Sequence, residues 1–282
     1  MGVLFFIVKS EESENVIMKF LKLILMITAI SCCLCGCQDA GRGNSHTETE
    51  NQSGTESQAL NLPDRLTTED EKIAVFANGY PEYFWARHDR GNGGMFNCSF
   101  SRENAKLENG YLNLILNQDE NGYRGAEFRT GPKYGYGFYS VRMRPVKESG
   151  VITSFFIYNG RPWDEIDIEF LGKDTTKVQF NYFTNGVGNY EYEYDLGFDA
   201  SEEFHEYAFE WKEGSITWYV DGKAVYQATE DIPSHEGHVM MNLWNISDDM
   251  AHWPGKFECE EFPLIAQYEW IGISSVLNTE NK

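Results

Sequence analysis

The chain has 282 residues, 41% of them hydrophobic, 24% charged and 15% aromatic. That composition is globular and suits one domain of about 200–250 residues with appendages. Its 23 basic and 44 acidic residues leave a net charge of −21, which argues against a nucleic-acid partner, because binding one needs a basic surface to displace phosphate counterions. A neutral ligand such as a sugar meets no such barrier, and the same acidity serves solubility.

The stretch "MKFLKLILMITAISCCLCGC" begins at Met18, with Lys19 and Lys22 ahead of the apolar run Leu23–Ile30. That run is too short to span a bilayer and reads as the core of a secretory signal. Glu11, Glu12 and Glu14 lie upstream and suit a signal poorly, so Met18 is the expected translation start. Cys32, Cys33, Cys35 and Cys37 crowd the end of the signal. "LCGC" resembles a bacterial lipobox, with Leu34 three before and Gly36 one before Cys37, the expected lipidation site. Cys32 is the second choice, and an ordinary signal with incidental cysteines is the alternative. The expected location is therefore outside the cell, either secreted or attached to a membrane through an N-terminal lipid. Residues 38–60 are almost devoid of apolar side chains and read as a disordered tether. Residues 61–282 are expected to form one domain. Within it only Cys98 and Cys259 remain, and sequence leaves open whether they pair or stay free.

Strand patterns then follow one another. Residues 111–117, 137–145 and 177–183 alternate apolar with polar side chains. "SITWYVDGKAVYQA" (215–228) reads as a hairpin turning at Asp221-Gly222, a type I′ pair. "HVMMNLWNI" and "LIAQYEWIGIS" add two more strands, and no 12-residue run reads as an amphipathic helix. Many short strands between Gly, Asn, Asp and Pro turns predict an all-β, antiparallel sandwich or jelly roll.

"WDEIDIEFLG" (163–172) carries the chemistry. In a strand Glu165, Asp167 and Glu169 point to one face while Ile166 and Ile168 point to the other. A plain solvated face is a poor explanation, because no Lys or Arg within 163–172 relieves the repulsion and acids are weak strand formers. Trp163 and Phe170 bracket the acids, as a sugar-stacking cleft would require. A single metal ion suits them badly, since the three spread over about 13 Å along a strand. Glycoside hydrolysis needs two such carboxyls, one as nucleophile and one as general acid/base, and the aspartate between them can separate their proton affinities.

At these residues the chain resembles the lichenase branch (endo-1,3-1,4-β-glucanases) of glycoside hydrolase family 16. The resemblance runs through "GNGGMFNCSF", "GAEFRT", "YGYGFYSVRM", "SFFIYNG", "WDEIDIEFLGKDTTKVQFNYFTNGVG", "LGFDASEEFHEYAFEW", "WYVDGK" and "MMNLWN", over roughly residues 76–274. It implies a β-jelly roll with a curved cleft and a retaining mechanism, with Glu165 as nucleophile, Asp167 as assisting carboxylate and Glu169 as acid/base. It also implies a cleft lined by Asn92, Phe96, Glu127, Arg129, Tyr158, Trp163, Asn181, Asn242 and Trp244. Laminarinases of the same family usually carry one extra residue before the last Glu, forming a bulge; this chain has the uninterrupted spacing.

The expected substrate is therefore mixed-linkage β-glucan, cleaved by a monomer that requires no cofactor. The rival readings are a laminarinase-type or other β-glycan hydrolase and a non-catalytic glycan-binding jelly roll. Some positions depart from the family's pattern. Gly125 stands where relatives carry the disulfide partner of the cysteine matching Cys98, and Phe183 stands where many have a second Tyr. The segment before the tryptophan is shortened to "NGRPW". Relatives bind a structural calcium through carbonyls and an Asp; Gly110 and Glu269 match two of those positions. Of the histidines, "HEGH" (235–238) comes nearest to a metal motif, and a Pro-led loop makes it read as a solvated pair.

Overall fold

The computed structural model describes residues 72–87, 90–91 and 93–275. The expected signal, Cys37 and the tether lie outside the described residues, as does Asn92. The β-branched and aromatic runs form strands of two antiparallel sheets, as the alternation predicts. In the back sheet β5 (Ala105–Glu108) pairs with β6 (Tyr111–Asp119) and β6 with β17 (Leu264–Ser275). The sheet continues through β8 (Gly137–Arg144), β13 (His205–Lys212), β14 (Ser215–Val220) and β15 (Lys223–Ala228). β1 (Lys72–Val75) lies along the far half of β17.

The front sheet runs β2 (Phe84–Ala86), β7 (Gly122–Thr130), β16 (His238–Asn245), β9 (Val151–Tyr158), β10 (Glu165–Leu171), β11 (Lys177–Phe183) and β12 (Tyr192–Asp195). The β6–β7 hairpin carries the chain from the back sheet to the front one. β4 (Cys98–Phe100) lies parallel to β7, with β3 (Arg90–Gly91) beside it. Strands consecutive in sequence, such as β8 and β9 or β16 and β17, sit in opposite sheets, which is the jelly-roll crossover pattern. At the β14–β15 turn Asp221 and Gly222 both adopt positive φ, 46° and 73°, as a type I′ turn demands.

The core between the sheets orients the strand that bears the acids. Ile166, Ile168 and Phe170 of β10 are fully buried, beside Val178 and Phe180 of β11 and Phe155 of β9. Opposite them lie Tyr207, Phe209 and Trp218 of the back sheet, with Phe170 edge-on to Tyr207 at 4.8 Å. This corrects one expectation. Phe170 does not bracket the acids in a cleft; its even position places it with the two isoleucines on the inward face.

Cys98 and Cys259 are both free thiols. Cys98 is buried, and burial pushes its thiol up to about 11. A Cβ at Gly125 would stand 2.8 Å from the Cys98 sulfur and 2.5 Å from the Leu243 carbonyl, so no side chain, a bridging cysteine included, fits at this position unless the backbone shifts. Phe170→Ala should cost about 3–5 kcal/mol of unfolding free energy in a urea titration. A loss below about 1 kcal/mol would place the ring outside the core.

Candidate active site

Directly opposed residues on antiparallel neighbours share a face, so strand register alone assembles the site. On the outward face of the front sheet Glu169 is flanked by Gln179 on β11 and Ser154 on β9, and Ser154 by Asn242 and then Glu127. Asp167 lies between Asn181 and Phe156, and Glu165 between Phe183 and Tyr158. Pairing of β10 is unbroken from Glu165 to Glu169 on both sides, so the strand has no bulge. Although this face points away from the core, Glu127, Ser154, Asp167, Gln179, Asn181 and Asn242 are only 3–6% exposed. A flat outer face would leave such side chains in water; this one is recessed into a trough.

Specific hydrogen bonds hold the acids. Trp163 Nε1 donates to Glu165 Oε2 at 2.5 Å, and its indole, 41% exposed, stacks on Phe183 at 4.7 Å and 19°. Gln179 Nε2 donates to Glu169 Oε2 at 2.8 Å, while Gln179 Oε1 accepts from Trp253 Nε1 at 3.1 Å. From the core, Trp218 Nε1 donates to the Asp167 carbonyl at 3.1 Å and fixes the middle of the strand from behind. The Ser154 hydroxyl donates to Asn242 Oδ1. The Asn181 side-chain oxygen Oδ1 accepts from the Tyr182 N–H at 2.8 Å, and the Tyr158 hydroxyl donates to the Gly160 carbonyl at 3.3 Å. At one end of the trough Phe96 packs on Trp244 with ring centroids 4.0 Å apart. Glu127 pairs with Arg87 at 3.2 Å and Arg129 at 3.7 Å.

The fourth acid of the motif has a different task. Asp164 is 2% exposed and accepts the backbone N–H groups of Asn185, Ser234 and His235. It also faces His235 Nδ1 at 2.8 Å. It ties two loops to the start of the acid strand. His235 of "HEGH" is exposed and at the same time bound to Asp164, while His238 is half-buried with Nδ1 3.0 Å from the Thr130 carbonyl.

Burial dominates the electrostatics. It raises Glu165 to about 8 against the Trp163 hydrogen bond, with the charge of Glu169 adding to the rise. It raises Glu169 to about 7, opposed by the Gln179 amide and assisted by Glu191. Asp167 is pushed well above the usual carboxylate range by burial and by both glutamates. All three carboxyls are therefore raised together, and the row titrates as one interacting set rather than as three ordinary carboxylates.

The two calcium-type positions do come close. The β6–β17 ladder ends at Leu112–Tyr268, and Gly110 and Glu269 follow just beyond it. However, the Glu269 carboxylate is engaged by Arg142 Nε at 2.6 Å. Among the described residues no group of three or more His, Cys, Asp or Glu could hold a metal ion. These residues do not fit a carboxylate-held calcium, which leaves carbonyl oxygens as the donors on offer.

Register brings together the expected Glu127, Arg129, Tyr158, Asn181 and Asn242 with the three acids. Trp163 joins them through Glu165, and Phe96 and Trp244 pack on each other. Sequence reasoning missed Gln179, Ser154 and Trp253. Gln179 was within reach, since it alternates with Asn181 on a recognised strand; Trp253 comes from an unpatterned loop and left no signal.

Two glutamates flanking an aspartate, recessed and walled by indoles and amides on a β-sandwich, form the apparatus of a glycoside hydrolase. Residues 92–262 match the family Glycosyl hydrolases family 16, and the chain belongs to it. It is 49% identical over 201 residues to a beta-glucanase of Bacillus subtilis, covering 69% of this chain and 82% of that one. It is 50% identical over 198 residues to a beta-glucanase of Paenibacillus macerans, covering 68% and 83%. Among solved structures, a prokaryotic beta-1,3-1,4-glucanase (lichenase) derived from a mouse hindgut metagenome superposes with a TM-score of 0.70 at 47% identity, over 73% of this chain and 99% of that one.

The raised carboxyls set a pH dependence with a definite sign. Between about 4.5, the ordinary glutamate value, and about 8 the folded state binds more protons at Glu165 than the unfolded state, so stability falls as pH rises through that window. Thermal melts at pH 5 and pH 8 should show a smaller drop for Glu165→Gln than for the parent chain. An identical drop in both would contradict the burial of this carboxyl.

Proposed function

We propose that the chain is an endo-acting β-glucanase that cleaves β-1,4 bonds adjacent to β-1,3 linkages in mixed-linkage glucans such as lichenan and cereal β-glucan. The observation that carries this reading is the unbroken Glu165–Asp167–Glu169 row along the trough, with Asp167 buried and the two glutamates half-buried. Relatives called beta-glucanase and a neighbour called a lichenase support it. The absence of a bulge in β10 favours it over a laminarinase-type specificity.

In the proposed retaining mechanism Glu165 attacks the anomeric carbon, and the bond to the leaving oxygen breaks as Glu169 gives that oxygen its proton. The glycosyl ester formed on Glu165 is then opened by water. Glu169, now ionised, takes the water's proton, which restores both side chains to their starting states. Asp167 sits between them, its own carboxyl raised by burial and by both glutamates. Trp163 and Phe96 offer ring faces to pyranose rings, with Trp244, expected to join them but only 3% exposed, backing Phe96 from beneath, and Glu127, Arg129, Tyr158, Asn181 and Asn242 offer groups to the sugar hydroxyls. Asn92, expected to join them, lies outside the described residues. The chemistry needs no cofactor. The enzyme acts outside the cell as a monomer, freely secreted or attached to the membrane through Cys37.

Digestion of lichenan, laminarin and carboxymethylcellulose side by side tests the specificity. Lichenan should yield short oligosaccharides while the other two stay essentially intact; laminarin cleaved as fast as lichenan would overturn it. Glu165→Gln should lower kcat on lichenan by roughly 10³-fold or more, and unchanged turnover would remove Glu165 from the role of nucleophile.

A further inference from the structure

The carboxylate row explains the middle of the trough but not its β2 edge. One line of opposed residues crosses the front sheet from Asn181 through Asp167, Phe156, Met240 and Arg129 to Trp85. From Asn181 to Met240 this line is a floor, 3–6% exposed. At its end Trp85 stands up with 45% exposure. Its strand neighbours Phe84 and Ala86 face the core at 8% and 9%, so they anchor β2 and the core makes no use of Trp85. The guanidinium carbon of Arg129 lies 5.1 Å from the Trp85 ring centroid, a cation–π contact that holds the indole in one orientation.

The approach to Trp85 is also short of partners. Glu127 Oε1 and Arg129 Nε are buried without a hydrogen bond, Glu127 Oε1 having only the 3.7 Å ion pair with Arg129 Nη1, and buried polar atoms of this kind are normally satisfied. Four strand spacings separate Trp85 from Asp167, about 19 Å at roughly 4.8 Å each. Only a ligand several sugar rings long spans that distance.

We propose that Trp85 is an outlying sugar-stacking subsite, engaged by a glucosyl ring several units from the bond that is cut, so that it selects long glucan chains over short ones. This rests on the β-glucanase reading above. An indole face suits the apolar face of a pyranose, and the Arg129 contact keeps the ring ordered before the chain arrives, which lowers the entropy lost on binding.

The test is kcat/KM for mixed-linkage β-glucan oligosaccharides of increasing length and for lichenan, with the parent chain, Trp85→Ala and Trp85→Phe. All three should match on the shortest substrates and share one melting temperature. On the longest chains Trp85→Ala should lose about tenfold in kcat/KM, through KM with kcat unchanged, while Trp85→Phe retains most of it. Equal loss at every length would overturn the subsite, because Trp85 would then act through Arg129 on the site as a whole; no loss at any length would overturn it too. If Trp85→Ala cuts short substrates at the parent rate, the β-glucanase reading stands whatever happens on long ones. If the parent chain cuts no mixed-linkage glucan, that reading fails and the subsite falls with it.

Discussion

Three carboxyl groups on one face of one strand must lose water together, and the rest of the molecule is arranged around that constraint. Separately, each would remain ionised in water, and together they repel. Set along the trough, they shift upward and titrate as one interacting set. A hydrolase that works through one proton donor and one carboxylate uses that state directly.

Holding the strand in this unfavourable arrangement falls to its other face. Ile166, Ile168 and Phe170 lock β10 into the sandwich core, and the Trp218 indole grips the backbone at Asp167. Register then passes the alignment sideways, since each strand of the front sheet is fixed by pairing to its neighbours. A one-residue slip of β10 would drive the acids into the core and the isoleucines into the trough, so apolar burial and catalytic geometry enforce the same register. Asp164 adds a local lock, with three backbone N–H groups gathered on its buried carboxylate.

Alternation made much of this legible in the sequence. The period-2 pattern located β6, β8, β11, β16 and β17, and Asp221-Gly222 located the β14–β15 turn. It also placed the three acids on one face. What failed to show was whatever depends on which strands become neighbours. Phe170 looked like a cleft ring because its sequence neighbours are acids, whereas its face is set by parity. Ser154 lies beside Glu169 only through the β9–β10 pairing, and Gln179 reaches Glu169 only through β10–β11. Trp85 is 80 residues from Glu165 in the chain and joins the trough through an edge strand only three residues long. The hydrogen-bond partners of the "HEGH" histidines, Asp164 and Thr130, were hidden for a related reason, because they come from distant segments.

The central claim is that Glu165 and Glu169 act as a nucleophile and acid/base pair across one glycosidic bond. The anomeric configuration of the first product, followed by proton NMR in the opening minutes of lichenan hydrolysis, tests it most directly. Two displacements at the anomeric carbon predict a product that appears first as the β anomer and then drifts toward equilibrium. A product that appears first as the α anomer would mean a single displacement by water and would contradict the account.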